Sequence, residues 1–251
     1  MTKLDFRGNL IRCGGDAKTI KGNGAEYATA ILYMTPHKLT PSAPNLCPNA
    51  EIAGCLKACL NTAGRGAMHS VQNGRGRKAQ WFAADRAGFM AQLHKDIAGF
   101  ERYCAKRGVK PAVRLNGTTD IRYELIKHEG KTIFEHFPNV AFYDYTKIAN
   151  RPLDIPNYDL TFSYSAASPA YIKQVQKAID RKMRLAVVFR NREQIPPYFM
   201  GAPVLDGDKN DLRFVEPQGA VVALYAKGKA KKDNSGFVVD TAPAMVERVA
   251  A

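Results

Sequence analysis

Acidic residues are scarce in this chain: 23 Asp and Glu stand against 37 Lys and Arg among 251 residues, a net charge of +14. That imbalance favours anionic partners such as nucleic acid, nucleotides or phosphorylated substrates. Charge alone carries no sequence recognition, and the usual nucleic-acid signatures are missing. There is no zinc-finger spacing, no basic zipper, and no RRM, KH or helix-turn-helix pattern. Neither the Walker A loop nor the dinucleotide-binding glycine fingerprint occurs. Cysteines are few and odd in number, five in all, which argues against a disulfide framework. Long apolar runs are also lacking. The longest, residues 185–189 and 220–226, have the length of buried strands and fall far short of the roughly 20 residues of a membrane span. The opening residues, Met-Thr-Lys-Leu-Asp-Phe-Arg, contain no hydrophobic signal core. The expectation is a soluble protein of the cytoplasm, with reduced thiols and no membrane contact.

The chain is organised around Cys47-Pro-Asn-Ala-Glu-Ile-Ala-Gly-Cys55-Leu-Lys-Ala-Cys59. Good helix formers over residues 50–60 predict a helix, with Cys55 and Cys59 one turn apart on one face. That placement suits thiolates gripping neighbouring irons of one cluster. Cys47 is expected in the loop before this helix, where the helix dipole favours a thiolate. The expected ligand set of the metal centre is therefore Cys47, Cys55 and Cys59. Two other readings compete. The cysteines could pack as small apolar residues, or Cys55 and Cys59 could hold zinc with His69 or Cys13 completing the set.

Around this stretch the chain reads as alternating strand and helix. A polar, Gly-rich arm or hairpin is expected over residues 1–25, and residues 27–34 form a first buried strand. Residues 85–107 form an amphipathic helix, because Phe89, Leu93, Ile97, Phe100 and Cys104 recur at helical spacing, with Asp85 as its cap and Gly108 at its end. Cys104 is read as core, and Trp81 likewise. Short apolar runs follow at 111–115, 139–143, 158–162, 185–189, 202–205 and 219–225, with a further helix over 169–182 and an Ala-rich tail over 240–251. This alternation implies a parallel sheet with crossover helices. The expected fold class is α/β, a complete or partial (β/α) barrel in one domain. The cysteine loop would then lie at the C-terminal ends of the strands, where such barrels carry their sites.

Polar residues follow each run and become candidates for ligand binding: Asn116, Asp120, Arg122, Asp144, Lys147, Ser163, Arg190, Asp206 and Asp208. Asp120, Arg122 and Asp144 are the expected substrate-orienting residues, and Asn116 a further cofactor-binding one. Two basic segments, residues 64–78 and 227–232, could cradle phosphate or a small anionic ligand.

Several motifs occur in order: Cys-Pro-x-Ala, Gly-Cys-x-x-x-Cys-Leu-Asn-Thr-Ala-Gly-Arg-Gly, Arg-Leu-Asn-Gly-Thr-Thr-Asp-Ile-Arg, Phe-Tyr-Asp-Tyr-Thr-Lys, Leu-Thr-Phe-Ser and Asp-x-Ser-Gly-Phe-Val. Together they resemble a family of tailed-bacteriophage proteins known as gene product eighty-eight, over nearly the whole chain. The resemblance implies a viral protein made in a bacterial cytoplasm, whose recurring cysteines match Cys47, Cys55 and Cys59. A looser resemblance is to radical-SAM enzymes, which also place a three-cysteine loop after the first strand of a β/α barrel. It implies a [4Fe–4S] cluster with one open iron, and S-adenosylmethionine as a candidate ligand. The spacing departs from theirs, with seven and then three residues between the cysteines. The leading expectation is a [4Fe–4S] protein whose open iron takes a small ligand or substrate for redox, radical or sulfur-transfer chemistry. The alternative is a basic nucleic-acid-binding protein with a structural iron–sulfur or zinc centre.

Overall fold

The structure, a computed structural model, describes residues 4–240 apart from 16, 23, 25, 38–43, 60 and 62. The Ala-rich tail from residue 241 therefore lies outside the described residues. The N-terminal arm is a hairpin of β1 (Phe6–Arg7) and β2 (Ile11–Cys13), followed by the short helix α1 (Ala17–Gly22). The apolar runs become strands because β-branched and aromatic residues stand between turn-forming ones. They are β3 (Tyr27–Leu32), β4 (Lys110–Arg114), β7 (Ala141–Thr146), β8 (Tyr158–Ser163), β9 (Arg184–Phe189), β11 (Ala202–Asp206) and β12 (Val221–Tyr225). Short pieces complete the set: β5 (Lys127–His128), β6 (Lys131–Thr132), β10 (Tyr198–Phe199) and β13 (Val238–Val239).

Between β3 and β4 run α2 (His69–Ala84) and α3 (Arg86–Ala105). The Asp85 carboxylate accepts the Gly88 N–H at 2.8 Å and starts α3. Phe89, Leu93, Ile97, Phe100 and Cys104 form its buried face, each of the larger ones contributing ~1.5–3 kcal/mol by burial. Gly108, at φ +64, turns the chain out of the helix. A one-turn helix α4 (Ile133–His136) begins in a capping box of Thr132 and Glu135, and α5 (Pro169–Asp180) begins at the Ser168 cap. Residues 64–78, expected as a loop that cradles phosphate, instead form a short 3₁₀ turn and most of α2.

The barrel expectation is overturned. The strands form an open, mixed sheet in the order β1-β2-β3-β4-β7-β8-β9-β12-β11-β10, with β13 added on β9. β3, β4, β7, β8 and β9 run parallel and in chain order, as in a winding barrel. Then β12 takes the place beside β9, and β11 lies outside it. Antiparallel strands end both flanks, β2 against β3 and β10 against β11. No pairing closes one flank on the other among the described residues. Helices are also too few, since the β7–β8 connection contains none.

One face of the sheet is apolar. Ala30, Val113, Phe142, Leu160, Phe162, Leu185, Val187 and Phe189 join the helices' buried side chains in the main core. The opposite face bears Arg114, Tyr143, Tyr145, Thr161 and Arg184. It is covered by the connection from β11 to β12. Phe214 of that connection packs edge-on against Tyr27 and Tyr143, with ring centroids 5.1 and 5.4 Å away. Asp211 pairs with Arg114 at 3.0 Å, and Asp208 accepts from Lys21 at 3.2 Å. The connection thus ties the two flanks of a curled sheet together without closing it.

Candidate functional site

The cysteine segment lies across the C-terminal ends of the parallel strands. The expected helix over 50–60 does not form; the chain makes successive turns instead. Gly54 is the reason. It sits at φ +65, where L side chains are strained, and a Cβ there would come within 2.6 Å of Ala167 Cβ and Ser235 Oγ. Three serine hydroxyls from two later segments hold the turns by their carbonyls. Ser165 Oγ donates to Ala53 O at 2.7 Å, Ser168 Oγ to Ile52 O at 2.7 Å, and Ser235 Oγ to Gly54 O at 3.2 Å. Two contacts tie the segment to the strand ends: Asp120 N–H donates to Leu46 O at 2.8 Å, and Asn49 Nδ2 to Lys147 O at 2.8 Å.

The turns bring the sulfurs of Cys47, Cys55 and Cys59 within electrostatic reach of one another. Cys47 and Cys55 are buried, and Cys59 is half-buried. The Asn61 N–H donates to Cys59 Sγ at 3.4 Å. Burial pushes the Cys47 thiol up to about 12, with Lys147 opposing the shift. Burial raises Cys59 as well. Lys147, which follows β7, is half-buried beside them. Burial works against its ammonium, but Cys55, Cys47, Tyr171 and Asp120 outweigh this and hold its pKa well above the ordinary lysine value.

Asn116, Asp120 and Asp144 are brought together, but as a buried network rather than an open pocket. Asp120 accepts from Thr146 Oγ1 at 2.8 Å, from the Lys147 N–H at 2.7 Å and from Arg151 Nη1 at 3.1 Å. Asp144 accepts from the Asn116 N–H at 2.7 Å, from Asn116 Nδ2 at 3.1 Å and from the Tyr158 hydroxyl at 3.0 Å. Burial pushes its pKa up to about 6, against the pull of Arg114 and Asn116. Arg151 joins the two halves, donating to Glu124 at 2.9 and 2.6 Å and to the Tyr158 hydroxyl at 2.8 Å. Arg122 points to Glu124 at 3.2 Å. These residues build the floor on which the cysteine turns and Lys147 rest.

The other candidates lie elsewhere or are engaged. Arg190 pairs with Asp240, Asp206 with Arg192, and Asp208 with Lys21 and Lys227. Ser163 accepts the Tyr171 hydroxyl through its carbonyl at 2.6 Å. Cys13 is fully buried in the hairpin, within electrostatic reach of Cys104. His69 is exposed at the start of α2. Within the basic segments, Arg75 turns inward to Asn61 at 2.7 Å, Lys78 donates to Leu10 O at 2.6 Å, and Lys227 pairs with Asp208 at 2.7 Å. Sequence reasoning missed the serine clamps, Arg151 and Tyr171. Ser165 and Ser168 flank the end of β8 and the start of α5, but nothing local marks their distant carbonyl partners.

Among the described residues, no set of three or more His, Cys, Asp or Glu side chains converges tightly enough for a single metal ion. A family model, gene product 88, matches residues 9–241. The chain belongs to the gene product 88 family. It is thereby a bacteriophage protein. No curated protein and no solved structure matches it. The radical-SAM likeness finds no support in these comparisons, and the barrel on which it leaned is not formed. No helix among the described residues of this family member is long and apolar enough to cross a membrane.

Proposed function

We propose that this family member is an iron–sulfur protein. Cys47, Cys55 and Cys59 would hold a [4Fe–4S] cluster, and the fourth iron would remain open to a small anionic ligand or substrate. The observation that carries this reading is that three cysteines of one segment, held across the C-terminal ends of the strands, lie within electrostatic range of one another and of the half-buried Lys147.

What supports such a group is the placement of three cysteines in one segment held across the strand ends. A single ion draws its ligands to one point, whereas a cluster spreads its cysteines over separate irons. The three sulfurs lie within electrostatic range of one another. The Asn61 N–H on Cys59 Sγ is the kind of hydrogen bond that tunes cluster sulfurs. Burial excludes water from Cys47 and Cys55, and Lys147 supplies positive charge beside ligands that become thiolates when they bind iron. A bound cluster would supply one-electron redox chemistry or Lewis-acid activation at the open iron. The chain's own part is to fix the three sulfurs through the serine clamps and to set the local charge.

The test is anaerobic purification followed by iron, sulfide and zinc analysis, with visible and Mössbauer spectra. The reading expects about four irons per chain and broad absorption toward the blue. It also expects Cys47→Ala, Cys55→Ala and Cys59→Ala each to lower the iron content. Full iron content in all three variants, or colourless protein with stoichiometric zinc, would overturn it.

A further inference from the structure

The longest acid-free stretch of the chain is residues 52–84, which hold neither Asp nor Glu but carry Lys57, Arg65, Arg75, Arg77 and Lys78. Lys227, Lys229, Lys231 and Lys232 follow far along the sequence. The fold brings these two segments side by side. Ala58, Ala226, Ala230 and Val238 form a small apolar cluster of their own, which seats the 3₁₀ turn Gly228–Lys232 on the cysteine turns. A Cβ placed on Gly228 would lie 3.6 Å from Ala63 Cβ, beside the 3₁₀ turn Gly64–Ala67. Asn61 ties the same stretch to α2, because its carbonyl accepts Gln72 Nε2 at 2.6 Å and Arg75 Nη1 at 2.8 Å. The cysteine turns, α2 and the Gly228–Lys232 turn thus make one continuous piece of surface.

The cations of this surface fall into two groups. Arg75, Lys78 and Lys227 are engaged by the protein itself, on Asn61, Leu10 O and Asp208. Lys57, Arg65, Arg77, Lys229, Lys231 and Lys232 are exposed, and none of them forms an ion pair among the described residues. The carboxylates that flank the two segments are occupied. Glu51 contacts His37, Asp240 pairs with Arg190, Asp208 with Lys21 and Lys227, and Asp233 accepts the Ser235 hydroxyl. Elsewhere exposed cations alternate with carboxylates, as Lys127 and Lys131 do with Glu129 and Glu135. Six like charges held on one surface without counter-charges repel one another, and a partner of repeating negative charge relieves that repulsion.

We infer that this surface binds the phosphate backbone of duplex nucleic acid without reading its sequence. Residues 57–80 and 227–236 contain no Phe, Tyr or Trp, so the surface lacks the stacking platform that single strands use. The exposed side of α2 carries His69, Asn73, Arg77 and Gln80, which offers no apolar stripe to enter a lipid surface. Contacts from Lys and Arg to phosphates position a duplex and carry no sequence information. The inference does not depend on the cluster reading, and either can fail alone.

The experiment measures binding of the whole chain to a labelled DNA duplex of about 20 base pairs, roughly two helical turns, over a series of salt concentrations. If all six cations reach phosphates, log affinity falls against log salt with a slope of about −5, a loss of about a thousandfold between 50 and 200 mM. Two variants each remove three charges from the surface: Lys57→Gln with Arg65→Gln and Arg77→Gln, and Lys229→Gln with Lys231→Gln and Lys232→Gln. A third, Lys106→Gln with Lys127→Gln and Lys173→Gln, removes three exposed charges elsewhere and leaves the same net charge. Circular dichroism checks the fold of all three. Each surface variant is expected to weaken binding at least about tenfold at low salt and to flatten the slope by about 2–3. The third should bind as the wild type does. An equal loss in the third variant, unchanged binding in either folded surface variant, or no salt-dependent binding by the wild type would overturn the inference. So would tighter binding to the single strand, or to vesicles of phosphatidylserine and phosphatidylcholine in equal parts, than to the duplex.

Discussion

Arg151 and Asp120 face each other at 3.1 Å with both side chains almost wholly withdrawn from water. Glu124 grips the same guanidinium at 2.6 Å, so one arginine pairs with two interior carboxylates. Removing one partner of a buried pair costs about 3–5 kcal/mol, because the other charge is left uncompensated. Arg151→Met is therefore expected to lower the unfolding free energy, measured by urea denaturation, by an amount in that range. It should also loosen the floor beneath Lys147 and reduce iron uptake by the intact chain.

Gly54 gives a second prediction. Alanine there must adopt φ +65 and place its Cβ 2.6 Å from two neighbouring atoms. Left-handed backbone costs roughly 1–2 kcal/mol in an L residue, and the overlap adds to that. Gly54→Ala is expected to lower stability by at least about 1 kcal/mol in chemical denaturation. Iron content should fall more steeply than stability, because the glycine lies between Cys47 and Cys55. Wild-type iron content in a folded Gly54→Ala protein would contradict this account.

The third prediction concerns pH. His94 packs edge-on against His128 and His136, with ring centroids 4.6 Å away in each case. Its Nε2 is buried without a hydrogen-bond partner among the described residues. Burial, followed by the fields of His128 and His136, lowers its pKa from 6.5 to about 4. The unfolded chain therefore takes up a proton near 6.5 that the folded chain refuses until about 4. Stability from this site is present above pH 6.5 and is lost as the pH falls toward 4. Allowing for partial exposure, the loss should be on the order of 1–2 kcal/mol. Urea midpoints measured across this range should show that slope, and His94→Leu should flatten it.

The fourth prediction tests the clasp over the polar face. Arg114 is buried and pairs with Asp211 at 3.0 Å. Asp211→Ala leaves that guanidinium without its carboxylate and should cost about 3 kcal/mol or more. Thermal melting of the variant, compared with the exposed control Asp180→Ala, measures the difference.

The sequence discloses most of the strands and α3, because their signals are local. Runs such as Leu-Ala-Val-Val-Phe stand between turn formers, and the α3 stripe repeats at helical spacing. Strand order is not local. Nothing in residues 221–225 says that they will enter the sheet between β9 and β11, and that insertion separates an open sheet from a barrel. Helix propensity over residues 50–60 is overridden by Gly54 and by the serine clamps. In residues 64–78 the glycines mislead in the opposite direction, because Gly76 packs inside α2. The position of the cysteines after the first parallel strand is legible. The buried state of Asp120 and Asp144 is not, since a carboxylate after a strand looks the same whether it faces a ligand or Arg151.

The clasp between β11 and β12 also sets an order of events during synthesis. Lys21 and its partner Asp208 are separated by 187 residues, and Arg114 and Asp211 by 97. The earliest parallel strand to leave the ribosome, β3, receives Phe214 only after nearly the whole chain has been made. Until then the polar face bearing Arg114, Tyr143 and Arg184 is open to water. Such distant pairings slow folding, and a nascent chain halted before residue 207 would expose the very arginines and tyrosines that the finished protein hides.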